Sequence, residues 1–107
     1  MNPRGMQTSV FQAISDPTRR ALIDLLASHE QPVNSLRGNF NMTQPAVSQH
    51  LRVLRNAGLV KERRDGRQRI YRLNPRPLKD IADWVNHYER FWGRKLSALG
   101  KYLEAEK

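Results

Sequence analysis

The sequence predicts a mainly α-helical fold with one small β-hairpin, in the element order α-α-α-α-β-β-α. Apolar residues recur at helical spacing through most of the chain, which indicates amphipathic helices. An Asp65-Gly66 pair lies between two segments rich in β-formers, which is a strong hairpin signal. With 107 residues, 38% of them hydrophobic, the chain is expected to form one small domain over residues 1–107.

Two helices are predicted in the first third of the chain. Residues 10–14 form a short amphipathic piece. Asp16 is a typical N-cap, and Pro17 suits the first position of the helix that follows. This second helix is expected to fade over residues 28–31, before Pro32. Its apolar face consists of Ala21, Leu22, Leu25 and Leu26.

Two more helices follow, separated by a short turn. Residues 33–40 are interpreted as a short helix, and Thr43 as the N-cap of the next one. This fourth helix is expected to stop at Asn56-Ala57-Gly58. Its inward stripe is Ala46, Val47, Leu51 and Leu54, while Gln44, Ser48, Gln49, Arg52 and Arg55 face outward.

The hairpin is predicted with Asp65-Gly66 as a two-residue loop. That loop places Glu62 opposite Arg69, a favourable cross-strand pair that would occupy Arg69. It also packs Val60 on Tyr71 near the base of the hairpin and leaves a strongly basic tip.

A long final helix is expected over residues 78–103, and residues 78–105 are interpreted as a dimerisation segment. Trp84 and Phe91 widen its apolar stripe beyond what one small core would cover. The aromatic residues therefore form either the core of a subunit interface or a ligand pocket there. The stripe itself is Leu78, Ile81, Val85, Tyr88, Trp92, Leu96, Leu99 and Leu103.

The positive charge is concentrated in one part of the chain. The net charge is +9, and residues 43–76 contain nine basic side chains against only Glu62 and Asp65. This segment therefore carries +7 of the net charge within 34 residues. Such a concentration is typical of a surface that neutralises phosphates.

Several other functions find little support. The absence of cysteine excludes thiolate metal sites, disulfides and thiol-based sensing. No catalytic triad, carboxylate dyad or glycine-rich phosphate loop is recognisable, so no enzymatic activity and no cofactor are predicted. No apolar run is long enough to span a membrane, and the N-terminal residues lack the pattern of a secretory signal. We therefore expect a cytoplasmic protein without a membrane partner.

The order of short helix, turn, amphipathic helix and basic hairpin is that of a helix-turn-helix followed by a β-wing. In such a protein the second helix enters the major groove of DNA, and basic residues of the wing contact phosphates or the adjacent minor groove. Together with the concentrated charge, this order predicts double-stranded DNA as the partner.

Four segments resemble the ArsR/SmtB repressors: ISDPTRR at 14–20, TQPAVSQHL at 43–51, LRNAGLV at 54–60 and RDGRQRIY at 64–71. The resemblance covers about residues 8–75. It implies a homodimeric winged helix that reads DNA with the helix at residues 43–56 and dimerises through its first and last helices.

The resemblance also assigns roles to individual residues. It implies that Gln44, Pro45, Ser48 and Gln49 face the bases, which agrees with the outward face of the helix. Glutamine side chains can pair bidentately with adenine. His50, next to inward-facing Leu51, is expected to pack or hydrogen-bond instead. Contacts to the DNA backbone and from the wing are predicted for Thr43, Arg52, Arg55, Arg63, Arg64, Arg67 and Arg69, with Arg64 and Arg67 at the tip as the strongest candidates.

The expected subunit interface consists of Phe11, Ile81, Trp84, Val85, Tyr88, Trp92, Leu96 and Leu99. The chain departs from the metal-sensing members of the family, which use cysteines or paired acidic and histidine ligands. Asp83 and His87 share a face of the last helix, but no second histidine follows at a matching distance. No metal site is predicted.

The resulting hypothesis is a homodimeric repressor that binds a near-palindromic operator. One alternative is a protein–protein interaction module that uses the winged helix only as a scaffold. Another is a ligand-gated sensor-repressor, in which a small-molecule effector would lower the affinity for DNA.

Overall fold

The computed structural model describes residues 8–91 of the chain. Within this range the chain forms five helices and three short strands, and the mainly helical prediction is confirmed. The elements are α1 (Val10–Ala13), α2 (Pro17–Ser28), β1 (Gln31–Pro32), α3 (Val33–Arg37), α4 (Gln44–Asn56), β2 (Val60–Asp65), β3 (Gln68–Leu73) and α5 (Leu78–His87).

The first two helices begin at side-chain caps. Ser9 and Gln12 form a reciprocal capping box at the start of α1. As predicted, Asp16 caps α2, because its Oδ2 accepts a hydrogen bond of 3.0 Å from the backbone N–H of Arg19. Partial burial opposes ionisation of Asp16, but this hydrogen bond and the nearby His50 and Arg19 side chains hold its pKa below the ordinary value.

The sheet contains a strand that the sequence did not reveal. β1 pairs antiparallel with β3, so that the strand order is β1-β3-β2. Gln31 is buried, and its Nε2 donates to the carbonyl oxygens of Leu25 (3.2 Å) and His29 (3.3 Å) at the end of α2. A strand of two residues is too short to show an alternating pattern. Pro32 also argues against a strand in the sequence, since proline is tolerated only where no ladder hydrogen bond is needed.

α3 and α4 are joined by a turn, and α4 starts and stops as predicted. Thr43 Oγ1 accepts from the backbone N–H of Ala46 at 3.3 Å. At the other end, the N–H of Leu59 bonds to the carbonyl of Leu54, and that of Gly58 bonds to the carbonyl of Arg55. Gly58 adopts a φ of 78°, which glycine tolerates best. These bonds form a Schellman motif that ends the helix.

The hairpin is present, but its predicted register is wrong. Asp65 pairs with Gln68, so Gly66 and Arg67 form the loop. Glu62 lies opposite Tyr71 instead of Arg69, and Val60 opposite Leu73. Gly66 has a φ of 66°, and no other residue of the loop has a positive φ. Glycine therefore occupies the first central position, as in a type II′ turn, which spares Asp65 from the left-handed region.

The core lies between α2, α4 and the sheet. From α4, Val47, Leu51 and Leu54 are almost completely buried, so the inward stripe anchors this helix firmly. Leu59 and Val60 continue the core at the base of the hairpin. The other core residues are Val10, Ala13, Leu22, Leu26, Leu36 and Tyr71.

α5 is shorter than expected in the described part of the chain. It ends at His87, with Tyr88 as its C-cap, and residues 89–91 are helical again. Leu78 and Ile81 pack against the core, while no residue of α5 is fully buried. The predicted interface residues Trp92, Leu96 and Leu99, and also Leu103, lie outside the described residues. Within residues 8–91, no helix combines the length and the apolar character that a membrane span needs.

Candidate nucleic-acid interface

α4 and the β2–β3 hairpin, called the wing below, line one open groove. The groove has a volume of about 360 Å³. α4 contributes Gln44 and Ser48, and α3 contributes Asn34. The wing contributes Arg64, Arg67, Gln68, Arg69 and Tyr71, and the chain before α3 contributes Pro32 with Val33 at the helix start. Two predicted base readers and three predicted wing arginines therefore lie together.

The outward residues of α4 continue this surface away from the wing. Pro45, Gln49 and Arg52 are all exposed, and Thr43 is exposed while it caps the helix. Ser48 and Arg52 also line a smaller cleft of about 90 Å³ with Arg55, Arg69 and Tyr71. The polar face of α4 is thus open to a large ligand along its whole length.

Strand alternation divides the wing arginines between two faces. Arg64 and Arg69 are direct cross-strand partners on the face toward α4. Arg63 lies on the opposite face, where its Nη1 donates to Glu30 Oε2 at 2.7 Å. The Arg63 guanidinium lowers the pKa of the Glu30 carboxyl through this hydrogen bond. Arg63 is therefore engaged by the protein itself.

Glu62 connects the end of α4 with the wing. Its Oε1 accepts from Arg55 Nη1 at 2.5 Å, whereas its Oε2 lies 4.0 Å from Arg69 Nη1. The sequence predicted an ion pair with Arg69, but Arg55 is the closer partner. Burial raises the pKa of Tyr71, the cross-strand neighbour of Glu62, and the negative carboxylate adds to that shift.

His50 makes inward contacts, as expected from its place beside Leu51. Its Nδ1 accepts from Arg19 Nη1 at 3.2 Å and lies 3.9 Å from Asp16 Oδ2. Arg19 also donates from Nε to the carbonyl of Ala13 at 2.7 Å. These contacts tie α4 to the start of α2 and the end of α1.

The structure adds polar residues that the sequence interpretation omitted. Asn34 and Gln68 line the groove. A second hollow of about 490 Å³ lies at the α3–α4 turn and includes Arg37, Asn41 and Thr43. The sequence could have indicated Arg37, because the first helix of a helix-turn-helix crosses the DNA backbone. Asn34 carries no such signal, because only the β1–β3 pairing brings the start of α3 to the wing.

α1 and α5 present an exposed cluster of aromatic side chains, called the aromatic face below. Phe11 and Trp84 meet edge to face with ring centres 5.9 Å apart, and Trp84 meets Tyr88 at 5.7 Å. Phe11 is 43% exposed, Trp84 56%, Tyr88 43% and Phe91 59%. Of the other predicted interface residues, Ile81 and Val85 are half-buried. Such exposed clusters are typical of interaction surfaces, because burial of large apolar side chains away from water is favourable.

The two side chains considered for a metal site are not joined by a third ligand in the described range. Asp83 Oδ2 accepts from Lys79 Nζ at 2.8 Å. Between residues 8 and 91, no group of three histidine, aspartate or glutamate side chains has an arrangement that would hold a metal ion.

A short helix, a turn, a second helix with a polar outer face and a basic hairpin on the same groove define a winged helix-turn-helix protein. The comparisons with known proteins agree. Residues 16–62 match the family model described as "Bacterial regulatory protein, arsR family". The chain is 38% identical to the HTH-type transcriptional regulator Rv2034 of Mycobacterium tuberculosis, over 90% of this chain and 87% of that protein. The chain belongs to the arsR family of bacterial transcriptional regulators.

Other relatives share most of the chain. The transcriptional repressor SdpR of Bacillus subtilis is 36% identical, with 75% of this chain and 89% of SdpR covered. Among solved structures, an ArsR-like transcriptional regulator from Rhodococcus sp. RHA1 superposes with a TM-score of 0.69 at 30% identity. That superposition covers 92% of this chain and 90% of the Rhodococcus chain.

Proposed function

We propose that this protein is a homodimeric transcriptional repressor that binds a near-palindromic operator and blocks transcription by occupying it. The single observation that carries the proposal is the shared groove, in which Gln44 and Ser48 of α4 lie beside Arg64 and Arg67 of the wing. A helix and an arginine-bearing hairpin on one surface can engage the major groove and the neighbouring backbone together. Such a repressor acts on chromosomal DNA, and we place it in the cytoplasm.

Base recognition is assigned to the polar face of α4. Gln44, Pro45, Ser48 and Gln49 are accessible there, with Gln44 and Ser48 nearest the wing. Glutamine offers both a donor and an acceptor to the edge of adenine, and the serine hydroxyl serves a base or a phosphate.

Phosphate contacts are assigned to Arg64 and Arg67 at the wing tip and to Arg52 and Thr43 on α4. All four are exposed. The segment that contains them holds nine basic residues against two acidic ones, so a polyanion is attracted to this side of the molecule. Arg55, Arg63 and Arg69 stay predicted contacts, although acidic side chains face all three in the free protein.

A second copy of the chain is the proposed occupant of the aromatic face. Phe11, Trp84, Tyr88 and Phe91 form one continuous exposed cluster across two helices. Pairing through this face would bury them and set two copies of α4 side by side. Two reading helices would then lie about 34–36 Å apart, one turn of DNA, which is the geometry that a palindromic operator requires.

Binding to fragments of the source genome tests the proposal. Purified protein should retain a small set of fragments at nanomolar concentration in the presence of excess unrelated duplex, and footprints on them should share an inverted repeat. Transcription from a promoter that overlaps such a site should fall when the protein is added. Equal retention of all fragments, or of none, would contradict a sequence-specific repressor.

A further inference from the structure

Glu62 is one of only two acidic residues in the strongly basic segment 43–76. It lies on β2, between α4 and β3, and its side chain is only 24% exposed. Its Oε2 is buried and accepts no hydrogen bond from any residue in the described range. An anion in this position repels DNA phosphates, so its presence beside two arginines calls for a physical explanation.

The neighbours of Glu62 come from two other elements. Arg55 belongs to the last turn of α4, while Arg69 and Tyr71 belong to β3. Arg55 donates to Oε1, and Arg69 lies 4.0 Å from Oε2. One carboxylate thus hydrogen-bonds to Arg55 and lies within ion-pair distance of Arg69, and the two arginine side chains are 43% and 57% exposed.

The restrained arginines border the proposed reading surface. Arg55 and Arg69 line the small cleft with Ser48, and Arg69 also lines the large groove with Gln44. A guanidinium free to rotate there would bind any phosphate within reach, since phosphate contacts carry no sequence information. A guanidinium held by Glu62 is less available for such contacts, which leaves the polar face of α4 to select the site.

We propose that Glu62 determines specificity by holding Arg55 and Arg69 away from indiscriminate phosphate binding. This inference rests on the proposed function and deepens it. In the non-specific complex, the dimer then neutralises fewer phosphates than its number of arginines implies. Glu62 acts through the two arginines and makes no DNA contact itself.

The test is Glu62→Gln, which keeps the side-chain shape and removes the charge. Affinity for a random-sequence duplex is measured over a salt series. Release of both arginines in both subunits should steepen the slope of log affinity against log salt by up to about 4, at roughly 0.9 per additional neutralised phosphate. At low salt the non-specific affinity should rise about tenfold or more. The preference for the operator over random duplex should fall.

Asp83→Asn is the matched control. It changes the net charge by the same amount and releases Lys79, but it lies on α5. Its salt slope should equal that of the wild type. An equal steepening in both variants would overturn the proposal, because net charge alone would then explain it. An unchanged or shallower slope for Glu62→Gln would also overturn it.

Arg55→Gln separates this role from a purely structural one. In the Glu62→Gln background this substitution should remove part of the added slope, and that loss should exceed the change that it causes in the wild-type background. An equal loss in both backgrounds would overturn the proposal. If Glu62→Gln does not fold, Arg55→Gln in the wild type decides alone, because a loss of the full slope of about 0.9 per subunit would show that Arg55 already neutralises a phosphate and would overturn the proposal. Failure of the wild-type protein to bind duplex DNA would instead remove the proposed function, which distinguishes the two failures.

Discussion

Gln44 and Ser48 lie one helical turn apart on α4 and line the same groove as the wing arginines. Ser48 is half-buried, whereas Gln49 and Pro45 are exposed on the outer part of the helix. All four residues have been assigned to base reading, but only Gln44 and Ser48 line the groove. Their position beside the wing therefore makes Gln44 and Ser48 the stronger candidates for base reading.

Replacing Gln44 and Ser48 together with alanine should weaken binding to the operator more than binding to random duplex. Removing a bidentate pair with a base costs about 1–3 kcal/mol, or roughly 5- to 150-fold in affinity. Fluorescence anisotropy with both duplexes measures the ratio. Asn86→Ala, an exposed polar truncation on α5, serves as the control. Identical operator affinity in the double variant and the wild type would show that other residues read the bases.

At the scale of the element, the wing is held to the body of the protein along one edge. β1 pairs with β3 through Gln31 with Tyr71 and Pro32 with Ile70. The adjacent Glu30 accepts the hydrogen bond from Arg63. This anchoring fixes the face that the hairpin turns toward α4, because a strand pair cannot rotate without breaking its ladder.

The two faces of the wing are expected to contribute differently to DNA affinity. Arg64→Ala with Arg67→Ala removes two cations that line the groove, so affinity for all duplexes should fall. The magnitude of the salt slope should decrease by up to about 4 for a dimer, near one for each phosphate that is no longer neutralised. Titrations at several salt concentrations measure this slope.

Lys61→Ala with Arg72→Ala is the matched control for that experiment. These residues are cross-strand partners on the other face of the same hairpin, and both are exposed. This variant removes the same charge as the first one. A salt slope close to that of the wild type would therefore show that the effect depends on which face of the wing carries the cations. Equal slopes for the two double variants would show that the wing acts only through its net charge.

At the scale of the whole molecule, the exposed large hydrophobic side chains of residues 8–91 all belong to the aromatic face. Phe11 and Trp84 belong to different helices, and their edge-to-face contact joins α1 and α5 into one surface. A stable interface buries about 800 Å² on each partner. Aromatic side chains supply much of such an area, because each one buries roughly 150–250 Å².

Trp84→Ala combined with Phe11→Ala should shift the protein from dimer to monomer in sedimentation experiments. Because Trp84 is more than half exposed in the single chain, its truncation should cost the monomer fold little. Operator affinity should fall steeply, since two half-sites no longer bind cooperatively. Lys79→Ala, an exposed residue of α5, should remain dimeric. A double variant that stays dimeric would place the subunit interface elsewhere.

The described elements differ in how far the sequence predicts them. Asp16, Thr43 and Gly58 mark helix ends by chemistry that acts within a few residues, so the start of α2 and both ends of α4 follow directly. The hairpin is equally local in origin, but Gly66 can occupy either central position of a two-residue loop. The sequence left that choice open, and the predicted register was off by two residues on the partner strand. A shift of two preserves the alternation of faces, so Glu62 and Arg69 still share one face.

The sequence by itself determined the helices, the presence of a wing, the concentration of positive charge and the family. These properties depend on composition and on signals between near neighbours in the chain. Only the tertiary structure decided that β1 joins the sheet, that Glu30 engages Arg63 across 33 positions, and that Glu62 lies nearer to Arg55 than to Arg69. Such contacts depend on how separate elements pack, and identical arginines become distinct only when that packing gives each a different neighbour.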